Sequence, residues 1–308
     1  MRVLITGATG FVGLHLIRHL LRTAPDSHIT GTTLSLPEAV ADPRLRLVRC
    51  DLTARGGEDI RRLVAETAPD HVYHLAGVSS GAAADPAAVQ GGNDAATRLL
   101  LAALAAEAPQ AQCLFTSTGY VYGPCDPHRP ARETDPLRPA GLYAQSKRDA
   151  ELLAQDAGAV ITRAFNHTGP GQTDGFAVSA FARQIAEIER GLRPPQISVG
   201  NLDARRDFLD VRDVVRAYAS LLEGPAAGTY NVCRGHAISL QSVLEDLLAL
   251  ASVPITIAAD PARMRPNDFP LSVGDPAKLT ALTGWQPEIP WAQTLKDTLN
   301  GWQQPPQF

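Results

Sequence analysis

The sequence has few cysteines, no block of basic residues and no long apolar run, and each shortage closes off a class of protein. Its four cysteines, Cys50, Cys113, Cys125 and Cys233, stand far apart in 308 residues. They form neither a close-spaced ligand pattern nor a disulfide frame, and they read as reduced, packed thiols. Lysine and arginine total 28 against 32 acidic residues, a net charge of −4. With no basic cluster there is no electrostatic footprint for nucleic acid. No apolar run nears the ~18–20 residues of a membrane span. Only Val3-Leu4-Ile5 separates Arg2 from Thr6-Gly7, far short of the ~7–15-residue apolar core of a signal peptide. These absences predict a cytoplasmic protein without nucleic-acid or membrane partners. Repeats and low-complexity tracts are missing too. Hydrophobic residues make up 44% and charged residues 19%, as in a globular chain with one large core or two coupled ones.

The first half alternates short β-type runs with helix-length stretches. Runs at residues 3–5, 29–33, 45–48, 72–75, 114–117 and 160–162 predict strands, and those at 11–22, 58–67, 93–107 and 143–157 predict helices. Val12, Leu16 and Leu20, with Ile17 and Leu21, share one face of the first helix, as a helix covering a sheet requires. This alternation predicts an α/β fold, a Rossmann-type doubly wound parallel sheet. Beyond Thr168 the pattern breaks up: helices at 177–190, 211–222 and 239–251, with a short strand at Tyr230-Asn231-Val232 able to return to the sheet. The expected division is a dinucleotide-binding domain of residues 1–166 plus 207–236, and a smaller α/β substrate lobe of 167–206 plus 237–308.

Thr6-Gly7-Ala8-Thr9-Gly10-Phe11-Val12-Gly13 follows an apolar strand and opens an amphipathic helix. In that context its three glycines mark a nicotinamide-dinucleotide site: Gly7 for the tight turn, Gly10 for approach of phosphate, Gly13 for close helix–strand packing. A diphosphate would meet free N–H groups at the start of the helix, with Thr9, Phe11 and Val12 around it. The next strand end, Gly31-Thr32-Thr33-Leu34-Ser35, holds no acid to bind a ribose 2′-hydroxyl and no arginine. Hydroxyls there, Thr32 among them, favour NADP(H), with NAD(H) also compatible. Asp51 and Leu52 after the third strand are placed near adenine, and Leu75, Ala76 and Gly77 after the fourth near ribose and diphosphate.

Tyr143-Ala144-Gln145-Ser146-Lys147 puts a phenol and an ammonium four apart on one helix face. A nearby cation favours phenolate, so Lys147 is expected to lower the Tyr143 pKa from its usual ~10. A third polar group is expected from Thr116-Ser117-Thr118 at the end of the fifth strand.

With the Thr-Gly-x-x-Gly-Phe-x-Gly start, Thr118 before Val121-Tyr122-Gly123, and Tyr143 with Lys147, the chain resembles the extended short-chain dehydrogenase/reductases of the nucleotide-sugar type over its full length. The resemblance implies a tyrosine that exchanges the proton on the sugar 4-oxygen, an assisting lysine and a hydroxyl bonding that oxygen. These roles fall to Tyr143, Lys147 and Thr118.

The blocks 163–172, 206–211 and 260–268, with Gly284-Trp285-Gln286-Pro287, most resemble the reductases of GDP-4-keto-6-deoxy-mannose, which make GDP-D-rhamnose. That resemblance implies a GDP-linked 4-keto-6-deoxy sugar as substrate, with Arg206 and Arg265 forked onto its diphosphate and Asn166 on the sugar or its phosphate. The same arginines could instead pair with Asp207, Asp210 or Asp268. A dehydratase of the family carries a carboxylate two positions after the threonine; here that position is Tyr120, which disfavours dehydration. A 4-epimerase, or a dehydrogenase running toward the ketone, uses the same three groups. A cofactor-sensing protein without catalysis would be expected to lose Tyr143 or Lys147, and both are present. His15 and His19 have zinc-pair spacing but lack a third ligand, so no metal is expected. The three tryptophans read as packing residues. The family resemblance further implies a homodimer, with the helices at 93–107 and 143–157 able to pair.

Overall fold

The computed structural model describes residues 1–36, 42–78, 86–264 and 269–304. In chain order the strands are β1 Arg2–Thr6, β2 His28–Thr33, β3 Leu45–Arg49, β4 His71–His74, β5 Gln112–Thr118, β6 Val160–Ala164, β7 Asn166–Thr168, β8 Gln196–Val199, β9 Arg205–Arg206, β10 Phe208–Asp210, β11 Thr229–Val232, β12 Ile238–Ser239, β13 Thr256–Ala259 and β14 Leu271–Ser272. The α-helices are α1 Phe11–Thr23, α2 Glu58–Thr67, α3 Pro86–Glu107, α4 Leu142–Asp156, α5 Ala177–Glu189, α6 Val211–Glu223, α7 Leu240–Leu248, α8 Ala277–Thr283 and α9 Trp291–Gln303.

Seven parallel strands form the central sheet in the order β11-β6-β5-β4-β1-β2-β3. Alternation along each strand decides what covers each face. Val3 and Ile5 point to one side and pack with Leu16, Ile17 and Leu20 of α1 and Val214, Ala217 and Leu221 of α6. Leu4 and Val72 point to the other, against Ile60, Leu63 and Val64 of α2 and Leu100 and Leu104 of α3. Further along that side Phe115 and Ile161 meet Ala150 and Ala154 of α4. The winding reverses between β1 and β4, which opens a crevice at the carboxyl ends of those strands.

The remaining elements build a smaller body beside that crevice. Val178, Phe181 and Ile185 of α5, Ile197 of β8, Leu244 of α7 and Leu295 of α9 make its core, with Trp291 and Trp302 packed against it. Short pairs β10–β7 and β13–β8 and the three-stranded β12-β9-β14 tie it together. Tyr230-Asn231-Val232 does return to the sheet, beside β6. Leu279 and Trp285, from a stretch expected in the lobe, pack into the core of the sheet instead.

Two helix bounds differ from the periodicity by more than one residue. α3 begins at Pro86 rather than Asn93, since proline suits a first helical turn where no N–H is needed. α7 keeps its Ser239 cap, which accepts from the Ser242 N–H at 3.0 Å, but ends at Leu248. The four cysteines are unbonded thiols. Among the described residues no helix is long and apolar enough to cross a membrane.

Asp207 joins the small body to the sheet. Its buried carboxylate accepts the backbone N–H of Arg234 at 2.7 Å and of Gly235 at 2.9 Å, just past β11, and of Gly274 at 3.5 Å, just past β14. Asp207→Ala is predicted to destabilise the protein by roughly 1–3 kcal/mol for each N–H left buried without an acceptor. A denaturant titration checks this, and an unchanged unfolding midpoint contradicts it.

Candidate active site

The crevice floor is the turn between β1 and α1. Gly7 has φ +69°, and a Cβ there would stand 2.8 Å from the Ala76 nitrogen. A Cβ on Gly13 would stand 2.5 Å from the Gly7 carbonyl oxygen. Neither position admits a side chain, so the turn presses against β4 and against its own helix. α1 starts after Gly10 with no side-chain cap. The first N–H groups of the helix, at Phe11, Val12 and Gly13, are therefore left for a ligand in the cleft those residues line. This cradle without Cβ atoms fits the diphosphate of a nicotinamide dinucleotide.

The rest of the expected cofactor set divides. Leu75 and Gly77 line the cleft. Ala76 stands over Gly7, with its N–H on the Thr6 hydroxyl at 3.2 Å. Thr9 bonds the Thr33 hydroxyl at 2.7 Å. Thr32 is not where its assignment to a cofactor phosphate requires. Its hydroxyl is buried under the turn and accepts the Gly7 N–H at 3.3 Å, because both faces of β2 are covered there; Ser35, two residues beyond β2, is exposed. Asp51 is exposed at the end of β3 and holds the Thr53 N–H at 2.9 Å. Leu52 is buried in the core beside α2, outside the cleft lining.

Thr118, Tyr143 and Lys147 meet in the same cleft of about 860 Å³. Thr118 ends β5, and its hydroxyl accepts the Tyr120 N–H at 3.3 Å and is hydrogen-bonded to the Tyr143 phenol. Lys147 places its Nζ 4.7 Å from the centroid of the Phe115 ring. Burial drives both titrations. It pushes the Tyr143 phenol up to about 12, helped by the Tyr120 phenol and opposed by the Thr118 bond. Lys147 is pushed down to about 8, with Glu151 opposing the shift. The expected lowering of Tyr143 by Lys147 is thus reversed, because loss of water outweighs the neighbouring charge. Beneath them His74, bonded to Thr6 at 2.7 Å and Thr97 at 3.0 Å, is driven by burial to about 3 and stays neutral.

Asn93 belongs to this site and escaped the sequence reading. Its Oδ1 accepts the Val78 N–H at 2.8 Å, and its Nδ2 donates to Ser146 Oγ at 3.0 Å, which donates to the Tyr143 carbonyl at 3.0 Å. The available signal was a lone Asn/Thr pair, Asn93 and Thr97, one turn apart in an Ala- and Leu-rich helix.

The substrate side holds Asn166 and Arg206. Asn166, on β7, donates from Nδ2 to the Tyr120 Oη at 3.3 Å, and its Oδ1 is buried without a partner among the described residues. Arg206, on β9, is 4% exposed and lines the cleft. The carboxylate of Asp207 goes to backbone N–H groups, and that of Asp210 to Arg212 and Thr294 at 2.7 and 2.8 Å. Arg265 and Asp268 lie outside the described residues. Tyr120 lines the cleft with its ring 6.1 Å from that of Phe269, so an aromatic side chain stands two positions after the threonine. His15 bonds the Pro170 carbonyl at 2.9 Å. Among the described residues no three His, Cys, Asp or Glu side chains gather as a metal site.

Residues 4–298 match the family model described as GDP-mannose 4,6-dehydratase. The chain is 37% identical to the GDP-6-deoxy-D-mannose reductase of Pseudomonas aeruginosa, covering 98% of this chain and 97% of that one. It is 27% identical to the GDP-6-deoxy-D-talose 4-dehydrogenase of Aggregatibacter actinomycetemcomitans, covering 92% of each. The solved structure of RMD from Pseudomonas aeruginosa complexed with NADPH superposes with a TM-score of 0.79 at 32% identity, over 98% of this chain and 99% of that one.

Lys147 is one of three lysines in the chain, so its ammonium can be followed by nitrogen NMR and identified by its loss in Lys147→Arg. In the cofactor-free protein it is predicted to titrate near pH 8, against an ordinary 10.5. Between those values the unfolded chain binds a proton the native state lacks, so the Lys147 contribution to stability rises with pH across that window. A midpoint near 10.5 would contradict the burial argument.

Proposed function

The chain belongs to the family of GDP-mannose 4,6-dehydratases, and we propose that within it this protein is an NAD(P)H-dependent 4-ketoreductase. Its substrate is a GDP-4-keto-6-deoxy-hexose and its product GDP-D-rhamnose, which is GDP-6-deoxy-D-mannose. The observation that carries this reading is the meeting of Thr118, Tyr143 and Lys147 beside a glycine cradle, with the aromatic Tyr120 where a dehydratase needs an acid. Reduction of a ketone needs no acid there.

When bound, the nicotinamide supplies a hydride to the sugar C4. Tyr143 supplies the proton to the C4 oxygen. Its phenol, raised to about 12, is protonated at neutral pH, the state reduction requires; the oxidising direction would need phenolate. Thr118 accepts the Tyr120 N–H, which leaves its own O–H to donate to the same oxygen. Lys147 holds the cofactor ribose and steadies charge on the phenol. Arg206 takes the diphosphate in a bidentate fork and Asn166 a hydroxyl or phosphate oxygen, its unpartnered Oδ1 ready for a donor. The missing acid at the end of β2 supports NADP(H), as does the NADPH complex of the 32%-identical relative; NAD(H) remains compatible. The talose dehydrogenase at 27% identity supports the C4 epimer as second product and the reverse direction as second reading.

The reading includes a cytoplasmic homodimer paired through α3 and α4, where Leu142 and Leu152 of α4 are exposed. It also keeps the division into a dinucleotide-binding domain and a substrate lobe, with residues 277–285 moved to the former.

Absorbance at the reduced-nicotinamide band, followed with GDP-4-keto-6-deoxy-mannose and either cofactor, tests the function. Loss stoichiometric with ketone is expected, faster with NADPH. No loss despite intact cofactor binding would overturn the substrate. Tyr143→Phe is expected to bind cofactor as before and to turn over at least about a hundredfold more slowly. Wild-type turnover in that variant would overturn the proton donor.

A further inference from the structure

Glu151 plays no part in the chemistry above, yet it touches both elements that carry it. It lies four residues after Lys147 and eight after Tyr143, so all three share one face of α4. The side chain is 1% exposed. Its Oε2 accepts the Ser117 hydroxyl at 2.5 Å, and Ser117 precedes Thr118 on β5. Its Oε1 accepts the Arg163 guanidinium at 2.6 and 3.1 Å. Arg163, on β6, in turn donates to the Tyr122 phenol at 2.9 Å, in the turn just past Thr118, and Tyr122 donates to Asn231 of β11 at 2.7 Å.

A buried ion pair is a poor source of stability, since an apolar pair of the same volume often serves as well. What it does supply is geometry: one carboxylate accepts from two strands at once while riding on the helix between them. Catalytic groups need placement within about 0.5 Å. Glu151 also brings the compensating negative charge closest along α4 to the buried Lys147 ammonium. The other groups around that ammonium are Tyr143 on its own helix, neutral His74 from β4, the Asn93 amide from α3 and the Phe115 ring from β5.

We propose that Glu151 is a positioning residue, clamping the helix of Tyr143 and Lys147 to the strand of Thr118 through Ser117 and Arg163, and holding the Lys147 ammonium charged. The kinetic part rests on the ketoreductase reading, whereas the charge on Lys147 does not.

The test compares wild type, Glu151→Gln, the double variant Glu151→Gln/Arg163→Met, and Ser117→Ala. Readouts are the Lys147 titration by NMR without cofactor, and kcat and KM with NADPH and GDP-4-keto-6-deoxy-mannose. Glu151→Gln should move the Lys147 midpoint down by about one unit and lower kcat by about tenfold or more, with both KM values little changed. The double variant removes both members of the Arg163 ion pair together, so it should unfold closer to the wild-type midpoint than Glu151→Gln and keep both defects. Ser117→Ala, which loses one hydroxyl, should lower kcat with the Lys147 midpoint unmoved, and it decides the clamp if the charge variants fail to fold. Wild-type kcat in Ser117→Ala, or a folded charge variant with wild-type kcat and Lys147 midpoint, overturns the proposal. Wild-type protein inactive on this ketone would sink the ketoreductase reading alone, because the Lys147 midpoints still decide the role of Glu151.

Discussion

Lys147 carries its positive charge into a place nearly closed to water, over the Phe115 ring and beside the Asn93 amide. That burial is the constraint on which the rest of the site depends. An ammonium stripped of water lowers its own pKa, and a phenol in the same cleft raises its own, so the two titrations, ordinarily close together, move apart. The fold must then supply polar partners where water is excluded. Glu151 lies one turn along α4, and Thr118 bonds the phenol from β5. A protonated phenol and a charged lysine at neutral pH suit delivery of a proton to a carbonyl oxygen.

The backbone around this pair serves approach rather than charge. Between β1 and β4 the sheet reverses its winding, and Gly7 lets the first turn lie directly against Ala76. The start of α1 is thereby left uncapped over the crevice, and the end of β5 and the first turn of α4 face it from the side. β7, β9 and β10 carry Asn166 and Arg206 to the far wall, with Asp207 fastening that wall to the sheet. A dinucleotide and a nucleotide sugar can therefore meet end to end at Tyr143.

What could be read in the sequence follows from which constraints are local. Gly7 and Gly13 are legible because a left-handed φ, or a carbonyl oxygen 2.5 Å from where a Cβ would stand, dictates the residue type at that position. Tyr143 and Lys147 are legible from helical spacing alone, and the parallel sheet from strands alternating with helices. Thr32 misleads because the side a strand-end hydroxyl faces is set by β2 pairing and by the Gly7 N–H it meets. The direction of the Tyr143 shift depends on burial contributed by segments over a hundred residues apart. Asn93 acts across 53 residues through Ser146, and Glu151 looks in sequence like any acidic residue on a helix surface. Its partners Ser117 and Arg163 become visible only when β5 and β6 lie side by side.

The measurement that bears most directly on this account follows the hydride itself. NADPH carrying deuterium at the transferable position is supplied with GDP-4-keto-6-deoxy-mannose, and the sugar product is examined by proton NMR. The account predicts one deuterium at C4 of a 6-deoxy sugar for each NADPH consumed. A sugar product with no deuterium at C4, or the 4-ketone recovered unreduced with NADPH unconsumed, would contradict it.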